Sequence, residues 1–351
     1  MSELKIKVSN TTKKEAPFQP YQVNGYWVEQ PLTTNGGGFC KWGFCRKFQR
    51  KFFLKEFLSP KFPKEDADIS ERQRTQRVRE CNEWFQAKQK IYQRIIRSSD
   101  GNLVLPSDFF RFGNQFYLVT ERIDAESISM EEVSQATPEQ QHMLLKVLAH
   151  AFASLAKEGV VHADVKPENL LFKKTMQGWF TAKVIDFDAS FCEEEQLEPE
   201  EIMGDGAYYA PETILRMLEE DAVITPKADV FALGLLFHQI INGSMPTVEG
   251  DEEYGSMGEA VLNGETLVLG ERYQDLIAGM LRCDPEERLS SAQVLEKLRE
   301  MDPPDPGCPE PPNVPYREAV KPEPKPEPPK PKPETHSGAA SGRWKVPTDF
   351  D

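Results

Sequence analysis

Positive charge is scarce in this chain of 351 residues: 42 lysines and arginines face 57 aspartates and glutamates, a formal net charge of −15 at pH 7. Nucleic acid and anionic lipid surfaces bind through basic faces, so neither is expected as a main partner, whereas basic partners stay open. Cysteine is sparse as well. The six, Cys40, Cys45, Cys81, Cys192, Cys283 and Cys308, include no CxxC pair, which argues against a zinc site or a disulfide framework and predicts reduced thiols. Long hydrophobic runs are missing too. The most apolar stretch, "FALGLLFHQII" from Phe231, is too short and too interrupted to span a bilayer. Met1 to Asn10 lacks the apolar core of a signal peptide. A cytoplasmic location with no membrane partner is the expectation.

What is present falls into three regions. From Tyr26 to Phe57, short apolar bursts separated by "TTNGGG" and "RKFQRK" predict strands joined by turns. Between Ile69 and Arg97, Val78, Cys81, Trp84, Phe85, Ile91 and Ile95 recur at helical spacing and predict one long amphipathic helix. "NLVLPSDFF" and "QFYLVTERI" read as two further strands. Beyond them, Thr137 followed by Pro138 and Glu139 opens a helix that Gly159 closes. Further helices are predicted over Ala210 to Glu219, Ala228 to Ile241, Gln274 to Leu281 and Ser290 to Arg299. After Met301 the composition changes: more than half of the 28 prolines lie there, in runs such as "KPEPKPEPPKPKPE". Such a segment favours extended polyproline II and buries too little apolar surface to fold.

The chemistry gathers in "VHADVKPENLLF" and "AKVIDFD". Phosphoryl transfer requires a carboxylate near the incoming hydroxyl, positive charge on the phosphates and oxygen ligands for magnesium. Asp164 is the candidate base, Lys166 the group that neutralises the transferring phosphoryl, and Asn169 and Asp186 the candidate metal ligands. "HADVKPEN", "DFD" at Asp186 to Asp188 and "APE" at Ala210 to Glu212 occur in that order. With them, Tyr26 to Arg299 resembles the eukaryotic-type Ser/Thr protein kinase family, in a bacterial-like subgroup with DFD in place of DFG.

The resemblance implies an α+β, bilobal protein-kinase fold. It places an N-terminal extension at 1–20, a small β-rich N-lobe with one long helix at 21–121 and a larger, mainly α C-lobe at 122–301. A disordered Pro-rich linker then covers 302–342 and a possible docking motif 343–351. It also implies ATP and magnesium as cofactors and protein substrates, possibly basic. Lys55 in "FFLK" is the lysine that would hold the phosphates, paired with Glu80, on the apolar stripe with Trp84 and Ile91, or with Glu83 one turn later. Asn35, Gly36, Gly37 and Gly38 fit the loop that covers the phosphates. Glu121 and Ile123 would offer backbone groups to adenine beside Thr120. Asp229 would support the catalytic loop, and Arg288 would pair with Glu212. Trp344 and Phe350 could anchor a partner of the tail; by analogy with bacterial kinases of this type, an opposing metal-dependent phosphatase is a further candidate partner.

Four residues depart from the family pattern. Ala163 replaces the arginine that binds an activation-segment phosphate, and the segment "ASFCEEEQLEPEEIMGDGAYYAPE" offers few hydroxyls, Ser190, Tyr208 and Tyr209. Activation by phosphorylation there is not expected. Asp188 stands at the DFG glycine and Asp205 at a position where a Thr is usual. Phe53 occupies the place of a small residue against adenine, so either adenine shifts or the strand register differs. The alternative readings are a pseudokinase scaffold that recruits a partner through its tail and, on the H-x-D match alone, a small-molecule kinase.

Overall fold

The computed structural model describes residues 18–301 except 36, 37, 39, 100, 124–126, 251 and 252. The Pro-rich linker, the Trp344 and Phe350 motif, most of the N-terminal extension, and Gly36 and Gly37 therefore lie outside the described residues. No helix among the described residues is long and apolar enough to cross a membrane.

The first part of the chain forms a six-stranded antiparallel sheet in the order β1-β2-β3-β4-β6-β5. Its strands are β1 (Tyr21–Val23), β2 (Tyr26–Val28), β3 (Cys40–Lys47), β4 (Arg50–Phe57), β5 (Pro106–Phe112) and β6 (Gln115–Glu121). The β1–β2 turn uses Asn24 and Gly25, both at positive φ, the two-residue hairpin chemistry that matches strand twist. "NLVLPSDFF" becomes a strand only from Pro106; Leu103 makes a lone parallel bridge to Val184.

Between β4 and β5 runs α1 (Glu71–Arg97). Ser70 and Gln73 form a reciprocal capping box at its start, and Arg94 and Arg97 lie in its last turn, each favourable to the helix dipole. Cys81, Ile91, Tyr92 and Ile95 are its buried residues, so mainly the later half of the helix packs on the protein.

The C-terminal part is mostly helical: α2 (Met130–Ser134), α3 (Pro138–Lys157), α4 (Pro211–Met217), α5 (Pro226–Asn242), α6 (Met257–Leu262), α7 (Gln274–Met280) and α8 (Ser291–Glu300). Thr137 caps α3 through a second box with Gln140. Gly243, at φ 77, closes α5, where a side chain would be strained. Nearly every residue of α5 from Ala228 to His238 is buried, which makes it the axis of the core. Short strands β7 (Val160–Val161) and β10 (Phe191–Cys192) pair, as do β8 (Leu170–Lys174) and β9 (Phe180–Val184). These two ladders hold the polar loops between them at the mouth of the cleft. α2, α6 and the short strands carry no periodic pattern long enough to read from sequence.

Candidate active site

The loop after β7 is fixed from beneath. Asp229, buried on α5, accepts from the backbone amides of His162 at 2.8 Å and Ala163 at 3.0 Å. Burial pushes its carboxyl up to about 7 against the opposing effect of those two amides. His162 is fully buried. Its Nδ1 accepts from the Asp164 amide at 3.3 Å, and its Nε2 donates to the Ile185 carbonyl at 3.2 Å. Both ring nitrogens are thus used by a neutral imidazole, consistent with burial holding its pKa below the ordinary value. Ala163 takes φ 64, and the chain crosses closely here: a Cβ on Gly204 would lie 2.6 Å from the Ala163 carbonyl oxygen.

The predicted base, lysine and asparagine come together as one unit. Asn169 Nδ2 donates to the Asp164 carbonyl at 2.8 Å and to Asp164 Oδ2 at 2.7 Å. Lys166 Nζ lies 3.0 Å from Asp164 Oδ1, which also accepts from the Asp205 amide at 3.0 Å. Asp164 is therefore oriented through both oxygens.

Lys55 reaches Asp186 but not a glutamate. Its Nζ lies 2.6 Å from Asp186 Oδ1 and 2.8 Å from Asp188 Oδ2. Burial disfavours the ammonium, but the two carboxylates outweigh it and hold Lys55 above its ordinary pKa. Burial likewise works against the Asp186 carboxylate, and Lys55 reverses the balance to leave its pKa below normal. The expected pairing with Glu80 or Glu83 is not formed. Glu80 accepts from Gln76 at 2.9 Å, and Glu83 pairs with Arg79 at 3.6 Å with most of its side chain in solvent. From α1, Tyr92 lines the cleft and Lys88 donates to the Asp188 carbonyl. A helix turns about 100° and rises 1.5 Å per residue. Glu83 therefore points about 140° away from Lys88, and Glu80 lies about 12 Å back along the axis.

Asp188 itself is not strained: positive φ falls on Asp186, at 60°, and not on Asp188. Phe187 is buried against His162, ring centroids 5.0 Å apart, which leaves Asp186 facing the cleft. The strand register question is also answered. Phe53 pairs with Thr120 and Lys55 with Leu118 in the β4–β6 ladder, so Phe53 and Lys55 share the cleft face. The Phe53 ring packs on Trp42 at 5.4 Å and Phe44 at 6.0 Å, giving the cleft an aromatic roof. Thr120, Glu121, Ile123, Leu171 and Ile185 complete a space of about 320 Å³. Of the glycine-loop residues described, Asn35 accepts from the Trp42 indole at 2.8 Å through its carbonyl, and Gly38 takes φ 53.

Magnesium fits this donor set. Asn169 spends its amide nitrogen on Asp164, which leaves its oxygen as the end available to a cation, and Asp186 adds a carboxylate at the cleft. Both are the hard oxygen ligands that magnesium prefers.

Asp205 caps the 3-10 turn Gly206–Tyr208 through Ala207 N and reaches Lys166 only at 4.0 Å, its side chain 44% exposed. Asp205→Thr keeps an oxygen for the cap. It is expected to change kcat/KM by less than about fivefold, the ceiling for an exposed pair worth at most ~1 kcal/mol. A larger loss in a steady-state assay would show that the carboxylate itself is required.

Carboxylates of the activation segment pair with basic side chains of α1. Arg94 of α1 makes a two-pronged contact with Glu194, and Lys90 lies 2.9 Å from Glu194 Oε1 and also contacts Glu195. The Arg94 and Lys90 contacts pull the Glu194 carboxyl down to about 2. Lys90 and Arg94 are one helical turn apart, a spacing visible in the sequence. Ser190 is buried and donates to the His162 carbonyl at 3.1 Å, while Tyr208 donates to Gln239 at 3.0 Å. At the end of the segment, Arg288 and Glu212 form a buried two-bond pair at 2.6 and 2.8 Å.

Comparison with known proteins agrees with this geometry. The model of the protein kinase domain family matches residues 71–298, so Lys55 and the glycine loop lie before the matched span. A serine/threonine-protein kinase of Drosophila simulans is 30% identical over 223 residues, 61% of this chain and 29% of that protein. Its Drosophila melanogaster counterpart matches at 30% over 61% of this chain and 28% of its own length. Calcium-dependent protein kinase 19 of Arabidopsis thaliana is 32% identical over 143 residues, 39% of this chain and 25% of that protein. The chain thus covers under a third of the length of these relatives. The family match spans well over half of the chain and contains the loop that carries Asp164, Lys166 and Asn169, and the chain belongs to the protein kinase family.

Proposed function

We propose that this chain transfers the γ-phosphoryl group of ATP to serine or threonine hydroxyls of protein substrates in the cytoplasm. The observation that carries the reading is the single bonded unit of Asp164, Lys166 and Asn169, tied through the Ile185 amide and the Asn169 carbonyl to the residue before Asp186, which lines the cleft with Lys55. Asp164 accepts the proton of the incoming hydroxyl as its oxygen bonds to phosphorus. The bond from phosphorus to the β–γ bridging oxygen breaks, and its electron pair leaves with ADP. Lys166 offsets charge on the group in transit, and Lys55 holds the phosphates of the nucleotide. Asn169 and Asp186 would hold magnesium, which when bound supplies positive charge to the phosphates. Labelled phosphate from ATP should appear on serine or threonine of a generic basic protein, and only with magnesium present. No transfer under any such condition would remove this reading.

Such a kinase would work without activation-segment phosphorylation. The contacts of Glu194 with Lys90 and Arg94 support this, since a carboxylate occupies the role a phosphate would have, and so does the engagement of Ser190 and Tyr208. Arg94→Ala should lower kcat several-fold while costing about 1–2 kcal/mol of stability, because the half-exposed pair with Glu194 contributes little and the bond to the Glu158 carbonyl is lost as well. High salt should bring the wild type toward the variant. Equal activity at low salt would show that the clasp is only a surface contact.

A second reading, a scaffold without turnover, is favoured by one observation: α1 brings a lysine, Lys88, and no carboxylate to the turn at Asp188. A nucleotide-induced thermal shift without phosphate transfer would decide for it. The small-molecule kinase reading loses ground to the Glu212–Arg288 pair and the family match.

A further inference from the structure

Lys55 needs an opposite charge that stays in place when a nucleotide arrives. Asp186 and Asp188 are its two partners. On the reading above, Asp186 is a metal ligand, and a carboxylate engaged with a cation has less charge to offer the lysine. Asp188 is the partner that remains. Its Oδ2 accepts from Lys55 at 2.8 Å and from the Cys40 thiol at 3.3 Å, and its carbonyl accepts from Lys88. Its other oxygen, Oδ1, is buried without a hydrogen-bond partner, as is the hydroxyl of Tyr92, one helical turn after Lys88 on the same face of α1. Asp188 is therefore held by two lysines, Lys55 at its carboxylate and Lys88 at its backbone carbonyl. Without its side chain, Lys55 would keep only Asp186 as a partner.

We propose that Lys88 and Asp188 are an exchanged charge pair: Asp188, on the turn after Asp186, supplies the carboxylate that positions Lys55, and Lys88 anchors that turn from α1. This rests on the kinase reading for its catalytic consequence but not for its structural one. Asp188 is a positioning residue, since it acts through Lys55. The exchange also gives α1 a direct hold on the metal-ligand turn, so a shift of the helix would move Asp188 and Lys55 together.

The experiment compares Asp188→Asn, Asp188→Gly, Lys88→Glu and the double variant Asp188→Gly/Lys88→Glu by kcat, KM for ATP and melting temperature without nucleotide. Asp188→Asn keeps the shape and removes the charge. It should raise KM for ATP and lower kcat/KM by about a hundredfold, the scale of loss when a reacting group is displaced by an ångström. Asp188→Gly should do the same and melt lower than the wild type. The double variant places a carboxylate on α1 opposite Lys55. It should recover at least about tenfold in kcat/KM over Asp188→Gly and melt above it, whereas Lys88→Glu alone should lower kcat/KM, so that the two changes couple well beyond the additive limit for independent sites. Full activity of both Asp188 variants, or a double variant no better than Asp188→Gly in activity and melting, overturns the proposal. If the wild type transfers no phosphate, the kinase reading fails separately. The melting comparison then decides the pairing by itself, higher melting of the double supporting it and equal or lower melting refuting it.

Discussion

Asp164→Asn is expected to lower phosphoryl transfer by about 10²–10⁴-fold, the contribution of a positioned general base, with a melting temperature close to that of the wild type. Every neighbour of this carboxylate that touches it by hydrogen bond or ion pair is a donor or a cation. Asn169 Nδ2 meets Oδ2, while the Asp205 amide and Lys166 meet Oδ1. An asparagine has one acceptor end and one donor end, so whichever way it turns, its NH₂ group faces another donor. The variant therefore loses the base and also the orientation of the group. The fold should be little affected, because Asp229 holds the backbone of the loop independently through the His162 and Ala163 amides. A phosphate-transfer assay beside a thermal melt checks both halves. Transfer within tenfold of wild type would take the base assignment away from Asp164.

The difference between what could and could not be read from sequence lies in how each residue is placed. Asp164, Lys166 and Asn169 sit within six consecutive residues, so their spacing nearly fixes their meeting, and Asp186 follows an apolar strand that delivers it to the same mouth. The long helix was predicted from Ile69 to Arg97 and forms over Glu71–Arg97. Which of its residues meets Lys55 depends on rotation and axial position, which periodicity cannot fix over 27 residues. Lys88, which reaches the Asp188 carbonyl, is in the sequence one more charged residue of that helix. Asp188 stands where the family has a glycine, yet its φ is ordinary and it is the side chain that pairs with Lys55. In the run Glu193 to Glu195, Glu194 is 46% exposed. Its partners, Lys90 and Arg94, are about 100 residues away in the chain, and only the fold brings them to it.

Arg288→Ala should destabilise the protein by about 3–5 kcal/mol, the cost of breaking a buried ion pair by removing one partner. The guanidinium has five N–H donors, and five acceptors surround it. Glu212 takes two bonds at 2.6 and 2.8 Å, and the carbonyls of Lys227, Cys283 and Arg282 take the others at 2.8, 3.1 and 2.9 Å. The arginine side chain is fully buried and Glu212 is 4% exposed. Removing the arginine strands a buried carboxylate and three carbonyls. Glu212→Ala leaves Arg288 with those three carbonyls still around it, so it should cost less than Arg288→Ala. The double variant should cost well under the sum, with a coupling of about 1–3 kcal/mol, because each single change has already spent the shared bonds. Chemical denaturation of the four proteins measures this. Strict additivity would mean the two residues act independently and that the pair does not fasten the end of the activation segment. Replacing both with apolar residues of similar volume, as in Glu212→Leu/Arg288→Met, separates stability from function. Stability can be largely restored, since a packed apolar pair avoids the desolvation of two charges. Activity should not follow, because Glu212 in α4 would no longer be tied to the backbone at Lys227, Arg282 and Cys283. A stable but inactive double variant would place the value of the ion pair in the position it imposes on the segment rather than in the free energy of folding.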